Sequence, residues 1–181
     1  RSSYDKLVVL CKAGELGEKY EIDTPSKDKD SKNTFLKIYR KYTLDVELYC
    51  EDMPFPIGIF IDIFPMDNAP NNKYVRKLKG YISDFLQAVC TCVLYAQYPS
   101  KKYKEFMSLD PEALRRYKQR MFIGKMFGII PHRKWVWWFD QFNAHTKETG
   151  LMTIPTGRKH YLGETQPTSV FLPTQKAIFE G

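Results

Sequence analysis

Apolar residues recur at every second position in much of residues 20–64 and at three- and four-residue spacings at the start and in the middle of the chain, so a group of strands lies between helices. Tyr4, Leu7, Val8 and Cys11 share one helical face and predict a helix over residues 3–19. Tyr20-Glu-Ile-Asp23 reads as a short strand, and residues 25–33, rich in Ser, Lys and Asp, as a mobile loop. Two further strands are predicted over residues 34–40 and 42–49, the second from the alternation of Leu44, Val46 and Leu48. The clearest alternation follows. Isoleucines at 57, 59, 61 and 63 predict a buried strand over residues 57–64 with an aliphatic face. The opposite face carries Gly58, Phe60, Asp62 and Phe64, and Pro65 ends the strand because it cannot donate to a ladder. Strands this close in sequence predict an antiparallel or mixed sheet.

The middle of the chain is helical. From 73 to 97 the apolar positions Val75, Leu78, Ile82, Phe85, Val89, Cys92 and Ala96 predict a long amphipathic helix whose face must pack against something. Asp110 as N-cap and Pro111 at the first helical position start another helix, which Gly128 closes. Residues 131–148 give a third, capped by Gly150. Its Trp135, Trp137, Trp138, Phe139 and Phe142 cover nearly every side, which predicts burial with one Trp partly exposed; contact with a partner or a membrane surface is the competing reading. Short strands are predicted over 151–154, 157–161, 170–172 and 176–180. The expected class is α+β, one domain spanning 1–181, with a sheet region about 20–67, a helical region about 71–149 and short strands about 151–181. The chain opens in a helical pattern and closes in a strand-like one, so it is expected to be incomplete at both ends.

Hydrophobic residues at 43% and aromatics at 15% are those of a globular protein, and no apolar run reaches the ~18–20 residues that span a bilayer. The net charge of +7 suits phosphate-bearing partners, with Lys101-Lys-Tyr-Lys104 and residues 115–120 as basic clusters that read as solvated helix faces. Cys11, Cys50, Cys90 and Cys92 lack metal-ligand spacing and read as free thiols. No phosphate-binding glycine loop, nucleophile elbow or zinc-protease motif is present. His132, His145 and His160 are dispersed; each reads as a surface or polar-core residue, His160 also as an anion contact beside Arg158 and Lys159.

Asp62 is the chemical anomaly. A carboxylate among Phe60 and Phe64 on a buried strand loses hydration, at a cost of several kcal/mol unless a metal, a cation, backbone donors or a proton compensates. Lys37, on an adjacent predicted strand, is placed either to pair with Asp62 or to contact a phosphate, and Arg40 to do the same nearer the strand end. Asp67 either binds an acceptor hydroxyl or caps the turn after Pro65.

The run Gly58-Ile-Phe-Ile-Asp-Ile-Phe-Pro-Met-Asp67 closely resembles the signature of the LicD family, bacterial phosphocholine transferases related to fukutin and fukutin-related protein. Thr34-Phe-Leu-Lys-Ile-Tyr-Arg40, followed by Thr43, resembles the family's upstream F-x-K-I-R…T strand, with Tyr39 inserted before the Arg. Phe179-Glu-Gly181 resembles a further segment, and Arg1-Ser-Ser-Tyr-Asp-Lys-Leu7 resembles the helix that follows the family's acidic metal-binding block; the block itself is absent. The resemblance implies a nucleotidyltransferase-like mixed sheet flanked by helices. It implies Mg²⁺ or Mn²⁺ as cofactor and a CDP-linked donor, CDP-choline foremost. It also implies a glycan or glycolipid acceptor, such as a lipopolysaccharide or teichoic acid precursor, and a cytoplasmic setting at or near the inner face of the membrane. On this reading Asp62 is the catalytic acid and a third metal ligand, and Lys37, Arg40 and Asp67 bind substrate.

Two rivals stand beside this reading. One is a non-catalytic interaction module on the same fold, separated from the first by whether paired Asp residues precede Arg1. The other is a basic nucleic-acid-binding domain, which no recognised motif supports and which predicts salt-sensitive binding.

Overall fold

The computed structural model describes residues 1–45, 47 and 52–173. Its class is α+β, and among the described residues the strands form two small sheets, each antiparallel. Helix α1 (Ser2–Lys12) leads into β1 (Tyr20–Asp23), which pairs with β2 (Leu36–Arg40), and β2 pairs with β3 (Phe60–Ile63). Strand β4 (Asp67–Asn68) belongs to the second sheet with β5 (Leu151–Thr153) and β6 (Gln166–Pro167). Between β4 and β5 lie α2 (Lys73–Gln97), α3 (Lys101–Met107), α4 (Pro111–Phe127) and α5 (His132–Ala144); a short α6 (His160–Gly163) precedes β6.

Helix α2 is the axis of the molecule, with α4, α5 and α6 packed along it. Its N-terminus is fixed by Asn72, whose side chain accepts from the backbone N–H groups of Tyr74 and Val75. Val89, Cys90 and Val93 meet Trp135, Val136 and Phe139 of α5 in the largest core cluster. Trp135 is buried while Trp138 is partly exposed, so the aromatic helix is chiefly a core element. A second cluster joins Tyr4, Cys11 and Leu36, packing α1 onto the aliphatic side of the first sheet.

Several sequence expectations are corrected. The first helix ends at Lys12, because Gly14 and Gly17 take φ of +84° and turn the chain. Residues 25–33 are tethered at their far end: Asp23 accepts hydrogen bonds from the backbone N–H groups of Lys32 and Asn33, and Ser31 and Lys32 are buried. Residues 42–45 are not a strand; Tyr42 and Leu44 are exposed, and Val46, Leu48 and Tyr49 lie outside the described residues. The predicted strand 57–64 shrinks to β3, an edge strand among the described residues, and Ile57, Ile59 and Ile61 are exposed instead of lying in a core. Helix α5 stops at Ala144, before Gly150, which instead takes φ of +79° at the entry to β5. Where strands were expected, residues 157–161 form a turn entering α6, and 170–172 are the end of a 3₁₀ turn (Thr168–Val170) and the bend after it. The predicted strand 176–180 and the Phe179–Gly181 match lie outside the described residues, as does Cys50. The apolar stripe of α2 is buried only in its second half.

Candidate functional site

The first sheet brings residues 34–40 and the start of the 58–67 run onto neighbouring strands. Lys37 of β2 stands directly across from Asp62 of β3, and Tyr39 across from Phe60. Alternation along each strand puts these four side chains on one face. The ammonium of Lys37 is buried, 3.4 Å from Asp62 Oδ1 and 3.4 Å from Glu47 Oε2, and lies 3.6 Å from the centroid of the Phe60 ring. Lys32 reaches the same Glu47 carboxylate and lies over Tyr39. Two lysines, two carboxylates and two aromatic rings thus meet in one group. The rings supply cation–π contact where water is excluded. Burial pushes the Tyr39 phenol up to about 12, so it stays protonated.

Asp62 is not the desolvated acid that the sequence predicts. Its side chain is 32% exposed, and β3 is the edge strand of its sheet among the described residues. The carboxylate is therefore held from beneath by Lys37 and open to solvent on its other side. That arrangement can accept a proton or a hydrogen bond from a bound hydroxyl. Lys37 is too deeply covered to offer a phosphate its charge without rearrangement, so of its two expected roles the geometry favours pairing. Arg40 is exposed at the end of β2; its backbone carbonyl accepts from Thr43 Oγ1 at 2.6 Å, and that hydroxyl accepts from the Ile59 backbone N–H.

Asp67 lies elsewhere. It opens β4 opposite Thr153, is 1% exposed, and receives Arg1 Nη1 at 3.1 Å. Arg1 also bonds Asp140 at 2.5 Å and Asp5 at 3.0 Å, so one guanidinium gathers three carboxylates. Burial raises the Asp67 carboxyl above its ordinary value although Arg1 pulls the other way. Among the described residues no hydrogen bond or ion pair joins Asp67 to Lys37, Asp62 or Arg40. The expectation that Asp67 caps the turn after Pro65 is replaced by a buried ion pair between sheet and helices.

A divalent metal needs several oxygens converging on one point. Among the described residues no three His, Cys, Asp or Glu side chains do so. Asp62 and Glu47 are both held 3.4 Å from the Lys37 ammonium, and Asp5, Asp67 and Asp140 are held by the Arg1 guanidinium, so a cationic side chain already serves each carboxylate group. These residues do not fit Mg²⁺ or Mn²⁺ by themselves. Sequence reasoning missed Glu47, read within a strand, and Lys32, read within a solvated loop; only the Lys37–Asp62 pairing had a signal, in the alternation of the two strands.

No protein-family model, curated protein or solved structure matches the chain. Among the described residues no helix is long and apolar enough to cross a membrane.

Proposed function

We propose that this chain is part of a LicD-like transferase that moves phosphocholine, or a related phospho-substituent, from a CDP-activated donor to a hydroxyl of a glycan or glycolipid precursor in the cytoplasm. The observation that carries the reading is the register: Lys37 and Asp62, from the two motifs of the resemblance, face each other across β2 and β3. In this reading the acceptor hydroxyl attacks the phosphorus bearing choline, Asp62 takes the hydroxyl proton, and CMP leaves with the bridging oxygen. Lys37 orients the Asp62 carboxylate, and Arg40, exposed at the strand end, is free to approach a phosphate. A group so placed contributes ~10²–10⁴-fold to a proton-coupled step.

The test is CMP release from CDP-choline in the presence of glycan acceptors, with product followed by phosphorus NMR. Asp62→Asn should abolish turnover and leave the melting temperature nearly unchanged. Turnover at the wild-type rate in that variant would remove Asp62 from the chemistry.

The second reading, a non-catalytic module, is favoured by one feature: the Asp62 and Glu47 carboxylates are both paired with the Lys37 ammonium, at 3.4 Å each. Binding of a CDP-linked ligand by calorimetry without any CMP release would select it.

A further inference from the structure

The net charge of the chain is confined to one segment. Residues 73–127 hold twelve Lys and Arg against four Asp and Glu, whereas the rest of the chain holds sixteen against seventeen. Three of those four acids are engaged locally: Asp84 accepts from the Tyr161 backbone N–H, Asp110 caps α4, and Glu112 pairs with Arg116. The same segment carries the most prominent exposed apolar surface. Tyr74, Leu78, Tyr81 and Phe85 succeed one another at four- and three-residue steps along the outer side of α2, each more than half exposed. On α4 and just beyond it, Phe122, Met126 and Ile129 do the same. The Phe85 ring meets Phe127 edge-on at 6.0 Å, which joins the two helices at the patch. Gly80 and Ser83, on the inner side of α2, are buried, and Gly80 lies against Leu162 of α6, whereas Tyr74, Leu78 and Tyr81 on the outer side are 62–81% exposed.

We infer that this face of α2 and α4 docks onto an anionic lipid surface. The apolar stripe enters the headgroup layer, the tyrosines lie at its polar boundary, and the exposed Lys73 and Lys77 of α2 and Arg115 and Lys118 of α4, the latter two beside Phe122, meet lipid phosphates and carboxylates. The charge complementarity selects this occupant. A second copy of the chain would bring basic face against basic face, and a nucleic acid has no use for an aliphatic stripe. The contact is peripheral, and it is independent of the transfer chemistry.

The experiment is co-sedimentation of the protein with vesicles of phosphatidylcholine alone or mixed with phosphatidylserine, at low and physiological salt. Partition should be confined to the serine-containing vesicles and weaken with salt. Leu78→Ser with Phe85→Ser should weaken it about tenfold, and so should Lys73→Glu with Lys77→Glu. Lys6→Glu, on α1, should leave it unchanged. No partition at low salt, equal partition to both vesicles, or insensitivity to the Leu78 and Phe85 substitutions overturns the proposal. Two other results also overturn it. One is a dimer that L78S/F85S dissolves with no vesicle binding, and the other is RNA binding tighter than lipid binding and indifferent to L78S/F85S.

Discussion

Gly124 of α4 and Cys92 of α2 meet so closely that a Cβ on the glycine would stand 2.0 Å from the cysteine's carbonyl oxygen. The obstacle is backbone, which cannot swing aside as a side chain does. Gly124→Ala is therefore expected to push α4 off α2 at a cost of about 1–3 kcal/mol. For a chain of this size that lowers Tm by about 3–10 °C. Thermal unfolding checks it, with Gly14→Ala, where nothing lies within 4 Å, reporting the cost of positive φ alone; equal effects at both positions would refute the close crossing.

The chain between β2 and β3 depends on Gly58, which takes φ of +132° and would place a Cβ 2.7 Å from the Arg40 carbonyl oxygen. Gly58→Ala should cost about 1–3 kcal/mol from backbone strain. If Asp62 performs the transfer, it should also depress CMP release more than the lost stability explains. Thr43→Val, which removes the hydroxyl bridging Arg40 and Ile59, should cost about 1–2 kcal/mol. A Gly58→Ala protein as stable as wild type would contradict the geometry.

His132 is buried beneath α2 with Nδ1 unpartnered, and burial holds its imidazole down at about 4, against an ordinary 6.5. The folded state thus binds fewer protons than the unfolded chain between those values. Stability from this group is complete above pH 6.5 and is lost as pH falls toward 4. The loss should reach about 2–3 kcal/mol by pH 4.5. Urea unfolding at pH 7 and 4.5 measures it, and His132→Gln should flatten the slope; a slope that survives the substitution assigns the acid sensitivity to other groups.

Asp67 acts with the opposite sign. Burial raises its carboxyl above the ordinary 3.8, so the folded state holds the proton more tightly. Its contribution to stability declines as pH climbs from 3.8 through the raised value. The Tm difference between wild type and Asp67→Asn should shrink or reverse across that rise. A difference that grows with pH would mean that the Arg1 pairing outweighs burial.

Legibility in the sequence followed locality. The bounds of β1 and α2 stand where alternation and the three- and four-residue spacing put them, because periodicity acts over a few residues. The Lys37–Asp62 pairing was legible as one of two alternatives for Lys37, since period-2 alternation fixes which face each residue takes, although the strand expected over 42–49 does not stand between them. The burial of the Ile57–Ile63 face was not. Alternation shows that a face is apolar, not that another layer covers it, and β3 turned out to be an edge. The same limit applies to Leu78 and Phe85. The Arg1–Asp140 bond spans 139 positions and left no local trace at all.

The pairing of Asp67 with Thr153 has a consequence for how the molecule assembles. The first sheet joins strands near in sequence, so its ladders close at small entropic cost. The second sheet must bring together segments about 85 residues apart, a contact that is favourable only after α2 to α5 have compacted the intervening chain. The helical layer is thus expected to fold before β4 finds β5. In pulsed hydrogen exchange, the amides of Val89 and Val93 should gain protection ahead of that of Ala69, which bonds the Leu151 carbonyl at 2.9 Å.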